Sequence, residues 1–441
     1  MALEFVSSAF LSPFMGVLFD RLSSQEFINL FSGKTPIVKQ LEELKILLLS
    51  ADKLLHDAEA KLIGDRRVKN WLDELKDVIY VAGELIDKVD NEALERKLEG
   101  ESGTGMSKVL SKLIPSSFNA FDNAVRSEMQ EILRRLKFLM DQRDVLGLKE
   151  TREKKHLNRS LLQRSKLYKS CCVMHDLVHD LAMHVSGEFC FRLDEDKLLL
   201  HDIASKTRHV SCNLKVDDLK KLDGVSKAER LHTFIQFKAI KSWEEPADYL
   251  KLLTTIGCLR VLSLCGFHIK ELPDSVGNLK NLRYLKLNCT AVVTLPDSIC
   301  SLYNLQSLIL RECRNLAQFP VNIGRLINLQ HLDVNGCSKL RSICWPHEMD
   351  QFHGSIINLK QLIYLNISRT NIAKLPDSIC SLYNLETLVV SCCSDFTRLP
   401  ANMGSLINLH HLDTSSSALE EMPLQMGNLK DLETLSDFVL S

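Results

Sequence analysis

Leucines dominate the second half of the chain and fall on a fixed beat. Leu259, Leu282, Leu305, Leu329, Leu362, Leu385, Leu409 and Leu432 are separated by 23, 23, 24, 33, 23, 24 and 23 residues. Each opens a phrase of the form L-x-x-L-x-L, as in residues 282–287 and 305–310. That spacing predicts a short strand with leucines on its inner face and the intervening residues on an outward, concave face. A second phrase follows each strand, for example Leu295-Pro-Asp-Ser-Ile-Cys-Ser-Leu302 and its copy at 375–382, with a variant at 272–279. Proline fixes φ and removes a donor, so this limb is expected to be irregular or a short helical turn.

Units of this period cannot bury their apolar face singly, and stacking them gives a leucine-rich-repeat solenoid. Leu282, Leu305 and Leu329 map onto Leu362, Leu385 and Leu409 with a constant offset of 80, so a block of repeats has been duplicated. The 33-residue step contains Trp345 to Gly354, expected to be a loop at the junction of the copies. Cys265, Cys289, Cys313 and Cys337 recur every 24 residues, which predicts small buried side chains stacked along the solenoid rather than a metal site.

The first 150 residues follow the helical period instead, with segments at about Leu3–Leu22, Val38–Ala60, Val68–Leu98 and Ala124–Leu146. Four such segments suggest a bundle, with Gly100 to Gly105 as a flexible connection. The expected organisation is multidomain: an all-α four-helix bundle at 1–150, a short helical winged-helix remnant at 151–200, a linker with degenerate first repeats at 201–255, including Leu231 to Ile235, and an α/β leucine-rich-repeat solenoid at 256–441.

The balance of 55 basic against 56 acidic residues gives no whole-chain field to recruit nucleic acid or anionic membrane. Fourteen cysteines, most of them inside repeats, read as reduced thiols of a cytoplasmic protein. The amino terminus lacks a basic n-region, so secretion is not expected, and no segment has the length and purity of a membrane span.

Leu54 to Glu59, Val68 to Val78 and Asp144 to Glu150 resemble the Rx-type amino-terminal domain of the coiled-coil class of plant nucleotide-binding leucine-rich-repeat disease-resistance proteins. Asn158 to Gln163 and Met174-His-Asp-Leu-Val-His-Asp-Leu-Ala182 are similar to the end of that family's winged-helix subdomain, and the Leu-Pro phrases complete the likeness. The resemblance implies that His175 and Asp176 occupy the positions that sense bound ADP and hold the inactive state. It also implies that Glu84 and Asp87, in Gly83-Glu-Leu-Ile-Asp87, dock against basic residues of the repeats, although the family's first acid is Gly83 here. Leu3, Phe10, Phe14 and Val17 match a segment that engages membrane in the family; bundle core is the expectation for this chain.

The departure is internal. Between Glu150 and His156, where the family places its nucleotide-binding domain, stand five residues. A phosphate loop needs Gly-x-x-x-x-Gly-Lys-Ser/Thr, and at the echo Gly33-Lys-Thr35 the first glycine is Ile28. ADP or ATP is thus the family cofactor, but none is expected here. His175 and His179 lie one helical turn apart and raise a rival reading as a zinc hydrolase, with Asp176 in place of the usual glutamate base, yet no third ligand is apparent.

No catalytic residue and no resident metal are expected. The outward strand positions Val261, Ser263, Tyr284, Lys286, Ser307, Ile309, His331, Asp333, Tyr364, Asn366, Thr387, Val389, His411 and Asp413 form the candidate protein-binding set. The expected role is immune-receptor-like recognition in plant defence without an ATPase switch. Its partners would be a pathogen effector, a guarded host protein or a full-length relative, with self-association through the bundle and peripheral plasma-membrane contact left open. A truncated gene product without activity is the further alternative.

Overall fold

In a computed structural model the chain forms two compact units, residues 1–187 and 188–441. Residues 11, 15–31, 35–62, 64–102, 115–150, 187–193, 205–213, 225, 228–237, 256–342 and 356–437 are described. Outside them fall the phrase with His175, Asp176 and His179, the positions Leu3, Phe10 and Phe14, and the Trp345 to Gly354 segment.

The first unit contains α1 (15–23), α2 (Gln25–Asn29), α3 (Thr35–Lys61), α4 (Arg66–Ser102) and α5 (Pro115–Asp141). Ser24 separates the first two because its hydroxyl accepts the Phe27 N–H at 3.2 Å, an N-cap that starts a new helix. Helix α4 runs through Gly100 into the stretch expected to be a connection, and α5 starts at Pro115, ahead of the expected Ala124. Proline suits a first helical turn, where its missing N–H has no partner to lose.

Leu11, Met15, Leu18 and Leu22 share one helical face and are buried, which leaves Val17 on the other side, 52% exposed. The expectation that Val17 belongs to the core is thereby corrected. In α4, Val68, Trp71, Leu72, Leu75, Val78, Ile79 and Ala82 fill the core at helical spacing. The Trp71 indole donates to the Leu139 carbonyl at 2.8 Å, satisfying its one polar atom and fixing α4 to α5.

The second unit is one eleven-stranded parallel sheet in chain order. Its strands are β1 (Cys190–Leu193), β2 (His209–Cys212), β3 (Thr233–Gln236), β4 (Val261–Leu264), β5 (Tyr284–Lys286), β6 (Ser307–Ile309), β7 (His331–Asp333), β8 (Tyr364–Asn366), β9 (Thr387–Val389), β10 (His411–Asp413) and β11 (Thr434–Ser436). The middle leucines Leu285, Leu308, Leu332, Leu365, Leu388, Leu412 and Leu435 stand in register from strand to strand. After most strands the Pro-containing limb forms a 3-10 turn, as at Asp297–Ser301 and Asp377–Ser381.

The sheet starts earlier than the leucine beat. Strand β1 lies inside the segment assigned to a winged-helix remnant, and β2 and β3 are the degenerate first repeats expected within 201–255. Their inward positions hold Leu193, Val210, Cys212 and Phe234, which bury as leucine does but break the L-x-x-L-x-L count.

Neighbouring units are also tied by asparagines just ahead of the opening leucine. The side-chain amides of Asn281, Asn304, Asn328, Asn384 and Asn408 donate to carbonyls of Gly257, Lys280, Tyr303, Lys360 and Tyr383, at 2.6–3.1 Å. Each closes a backbone acceptor in the irregular limb that no strand can satisfy.

The cysteine expectation holds only in part. A 24-residue spacing laid over 23-residue steps slides one position per unit, so Cys265 follows the third inward residue Leu264 directly, and Cys289 and Cys313 follow theirs by two and three positions. Cys313 and Cys337 are buried and donate to the Leu287 and Leu310 carbonyls at 2.9 and 3.0 Å. Cys289 is exposed, at a left-handed corner with φ of 58°.

Candidate recognition face

Two outward columns run along the sheet. In the first, Val261, Tyr284, Ser307, His331, Tyr364, Thr387 and His411 are half-buried and present their side chains beside one another. The His331 and Tyr364 rings lie 6.2 Å apart. Burial raises the Tyr364 hydroxyl above the usual tyrosine range, and the Asp333 charge adds to that effect. Desolvation lowers the His331 imidazole below its usual value, opposed by Glu386. His411 Nδ1 meets Thr434 Oγ1 at 2.9 Å.

The second column departs from expectation. Lys286, Ile309 and Val389 are half-exposed, but Ser263, Asp333 and Asn366 are buried, at 2%, 0% and 7% exposure. The Ser263 hydroxyl donates to the Gln236 carbonyl at 3.1 Å. Asp333, Asn366 and Asp413 each fold back to accept the backbone N–H two residues on, from Asn335, Ser368 and Ser415, at 3.0–3.1 Å. These turns hold the strand exits, so the three residues are framework before they are contact surface. The sequence carries the signal in His331-Leu-Asp-Val-Asn335, Tyr364-Leu-Asn-Ile-Ser368 and His411-Leu-Asp-Thr-Ser415, each an Asx followed two places later by Asn or Ser.

Arg311 was not in the expected set. It lies beyond the third inward residue of its unit, yet its guanidinium reaches Asp333 on β7, Nε to Oδ2 at 2.6 Å, with side-chain exposures of 42% and 1%. Burial alone would raise the Asp413 carboxyl, but donors from Ser415 and Ser436 outweigh it and keep the group ionised below the usual range.

In the helical unit Asp87 is buried, at 4% exposure, and its carboxylate accepts from Arg21 of α1 at 2.7 Å. Arg21 also pairs with Asp90. Asp87 is therefore an internal brace, which corrects its assignment as a surface dock; Glu84 is half-exposed on α4. No cluster of three or more His, Cys, Asp or Glu able to hold a metal occurs among the described residues, and no described helix is long and apolar enough to cross a membrane.

Residues 10–122 match the Rx N-terminal domain, and residues 239–353 and 340–441 match the leucine-rich repeat region family. The chain thus joins an Rx N-terminal domain to a leucine-rich repeat region, and relatives it matches are named as plant disease-resistance proteins. A putative disease resistance protein of Arabidopsis thaliana is 41% identical to this chain over 162 residues, 36% of this chain and 11% of the relative. The TMV resistance protein N of Nicotiana glutinosa is 33% identical over 180 residues, 36% of this chain and 15% of the relative. The matched chain thus spans a small fraction of these relatives' length. Among solved structures, a leucine-rich-repeat protein of Leptospira interrogans is similar at a TM-score of 0.44 and 23% identity, covering 53% of this chain and 55% of that one.

Proposed function

We propose that this chain acts in plant defence by recognising another protein with the outward face of its strand ladder, without a nucleotide-hydrolysing switch of its own. One observation carries the reading. Inward positions are held to leucine in register, while the first outward column leaves leucine altogether, running Tyr284, Ser307, His331 and, in the duplicated block, Tyr364, Thr387, His411 on that same rigid frame. A twice-presented set of aromatic, hydroxyl and imidazole side chains on a fixed lattice suits selective protein contact, because the surface is ordered before it binds.

A pathogen effector, a guarded host protein or a full-length relative would be the partner, met in the cytoplasm. With five residues between Glu150 and His156, the chain is proposed to need no ADP or ATP and to catalyse no reaction. Capture of partners from infected leaf extract by the full chain, compared with Tyr284→Ala and Tyr364→Ala, tests this. Both variants should keep the parent circular dichroism and lose the captured protein. Undiminished capture by both would remove the face from the function, and micromolar affinity for ADP would remove the claim about nucleotide.

A further inference from the structure

The charges beside the recognition face are sorted by position. At its first repeats stand Arg260, Arg283 and Lys286, on or just ahead of β4 and β5. At its last repeats stand Glu386, Asp413 and Glu433, on or just ahead of β9, β10 and β11. Their fields reach the face itself. His209 on β2 is lowered to about 4 by burial together with His232, Arg260 and Arg208, while Glu386 acts on His331 and Glu433 Oε2 lies 3.9 Å from His411 Nε2. Between the poles Asp333 is matched by Arg311 and Glu312 by Arg314, and Arg369 is an exposed cation at the exit of β8.

Five strand steps separate β4 from β9, which at about 4.8 Å each is about 24 Å. That is about three Debye lengths at physiological salt, so the two poles do not cancel and a partner meets them separately. We propose that the face takes a protein segment of opposite polarity, with an acidic cluster laid over β4 and β5 and a basic cluster over β9 to β11. A helix would need about 16 residues to reach across, and an extended segment about seven. This deepens the recognition reading above and rests on it.

The test uses the full chain and two fluorescent helical peptides of identical composition, one with glutamates in its first turns and lysines in its last, the other with the charges alternating. At about 50 mM salt the block peptide should bind at least about tenfold tighter by anisotropy, and the gap should close at about 300 mM. The doubly substituted Glu386→Lys, Glu433→Lys chain should bind both peptides alike, and carbodiimide should join Lys286 to the acidic end of the block peptide. Equal affinities, no binding of either peptide, or tighter binding of single-stranded oligonucleotide would overturn the proposal. So would a salt-sensitive dimer that excludes the block peptide, since a second copy would then be the occupant. Any of these results alongside partner capture lost in Tyr284→Ala would discard the polarity and leave the recognition face standing.

Discussion

Glu59 shows what a single carboxyl does when the fold denies it water. Desolvation lifts it to about 7, Lys76 opposing and Asp52 adding, and its Oε1 has no hydrogen-bond partner in the structure. The native chain therefore holds a proton between the ordinary value of 4.5 and about 7 that the unfolded chain has released, so stability falls as pH rises through that window. Glu59→Gln should be more stable than the parent by about 2 kcal/mol at about pH 8, with the gap closing below pH 4.5 in urea titrations. A gap that widened on acidification would refute the assignment. Asp333 is the opposite case, a buried charge with its partners in place. Asp333→Ala should cost about 2 kcal/mol in denaturant midpoint experiments and Asp333→Asn less, because the amide oxygen can still receive the Asn335 N–H.

Single elements were easier to foresee than their joints. The leucine beat foretold β4 to β11, and the helical period foretold the long helices, because both patterns report which side chains must leave water. The beat itself stops short of β1 to β3, where Phe, Val and Cys bury equally well at the same places; the degenerate repeats expected at 201–255 anticipate β2 and β3 but not β1. Nor did it reveal the Asn281, Asn304, Asn328, Asn384 and Asn408 ladder, since a polar residue beside each leucine looks like surface until the neighbouring unit's carbonyl is placed against it. Asn304→Ala and Asn384→Ala should each lower stability by about 1 kcal/mol, and the two losses should add in the double variant, as expected for sites separated by several units. Besides its apolar face, helix α1 is tied to α4 by Arg21, which pairs with the buried Asp87 and with Asp90, so Arg21→Ala should cost about 3 kcal/mol, and the added change Asp87→Ala should restore part of the lost melting temperature.

The described residues form two hydrophobic cores, one in each compact unit, and calorimetry should resolve two transitions rather than one. Within the solenoid each unit is held only by its neighbours, and the last described unit is the least covered: Leu424 is fully exposed, and Leu432 and Leu435 are half-buried. Amide exchange should be fastest at β11 and slow progressively toward β7; uniform protection would count against nearest-neighbour stability. The outward residues resisted sequence reading for a related reason. Whether Asp333 faces a partner or its own backbone depends on a turn set two residues later, beyond what alternation encodes.

At the exits of β4 to β11 the chain turns through a left-handed corner, held by Gly266 and Gly336 but also by Cys289, Glu312, Arg369, Cys392, Ser416 and Asp437. An unbranched non-glycine residue there costs about 1–2 kcal/mol of backbone strain, and a β-branched one more. The six non-glycine corners already bear that strain, so exchange among unbranched side chains can repaint the rim of the molecule without disturbing its spine. A lineage under pressure from changing adversaries would find its cheapest novelty at those six bends.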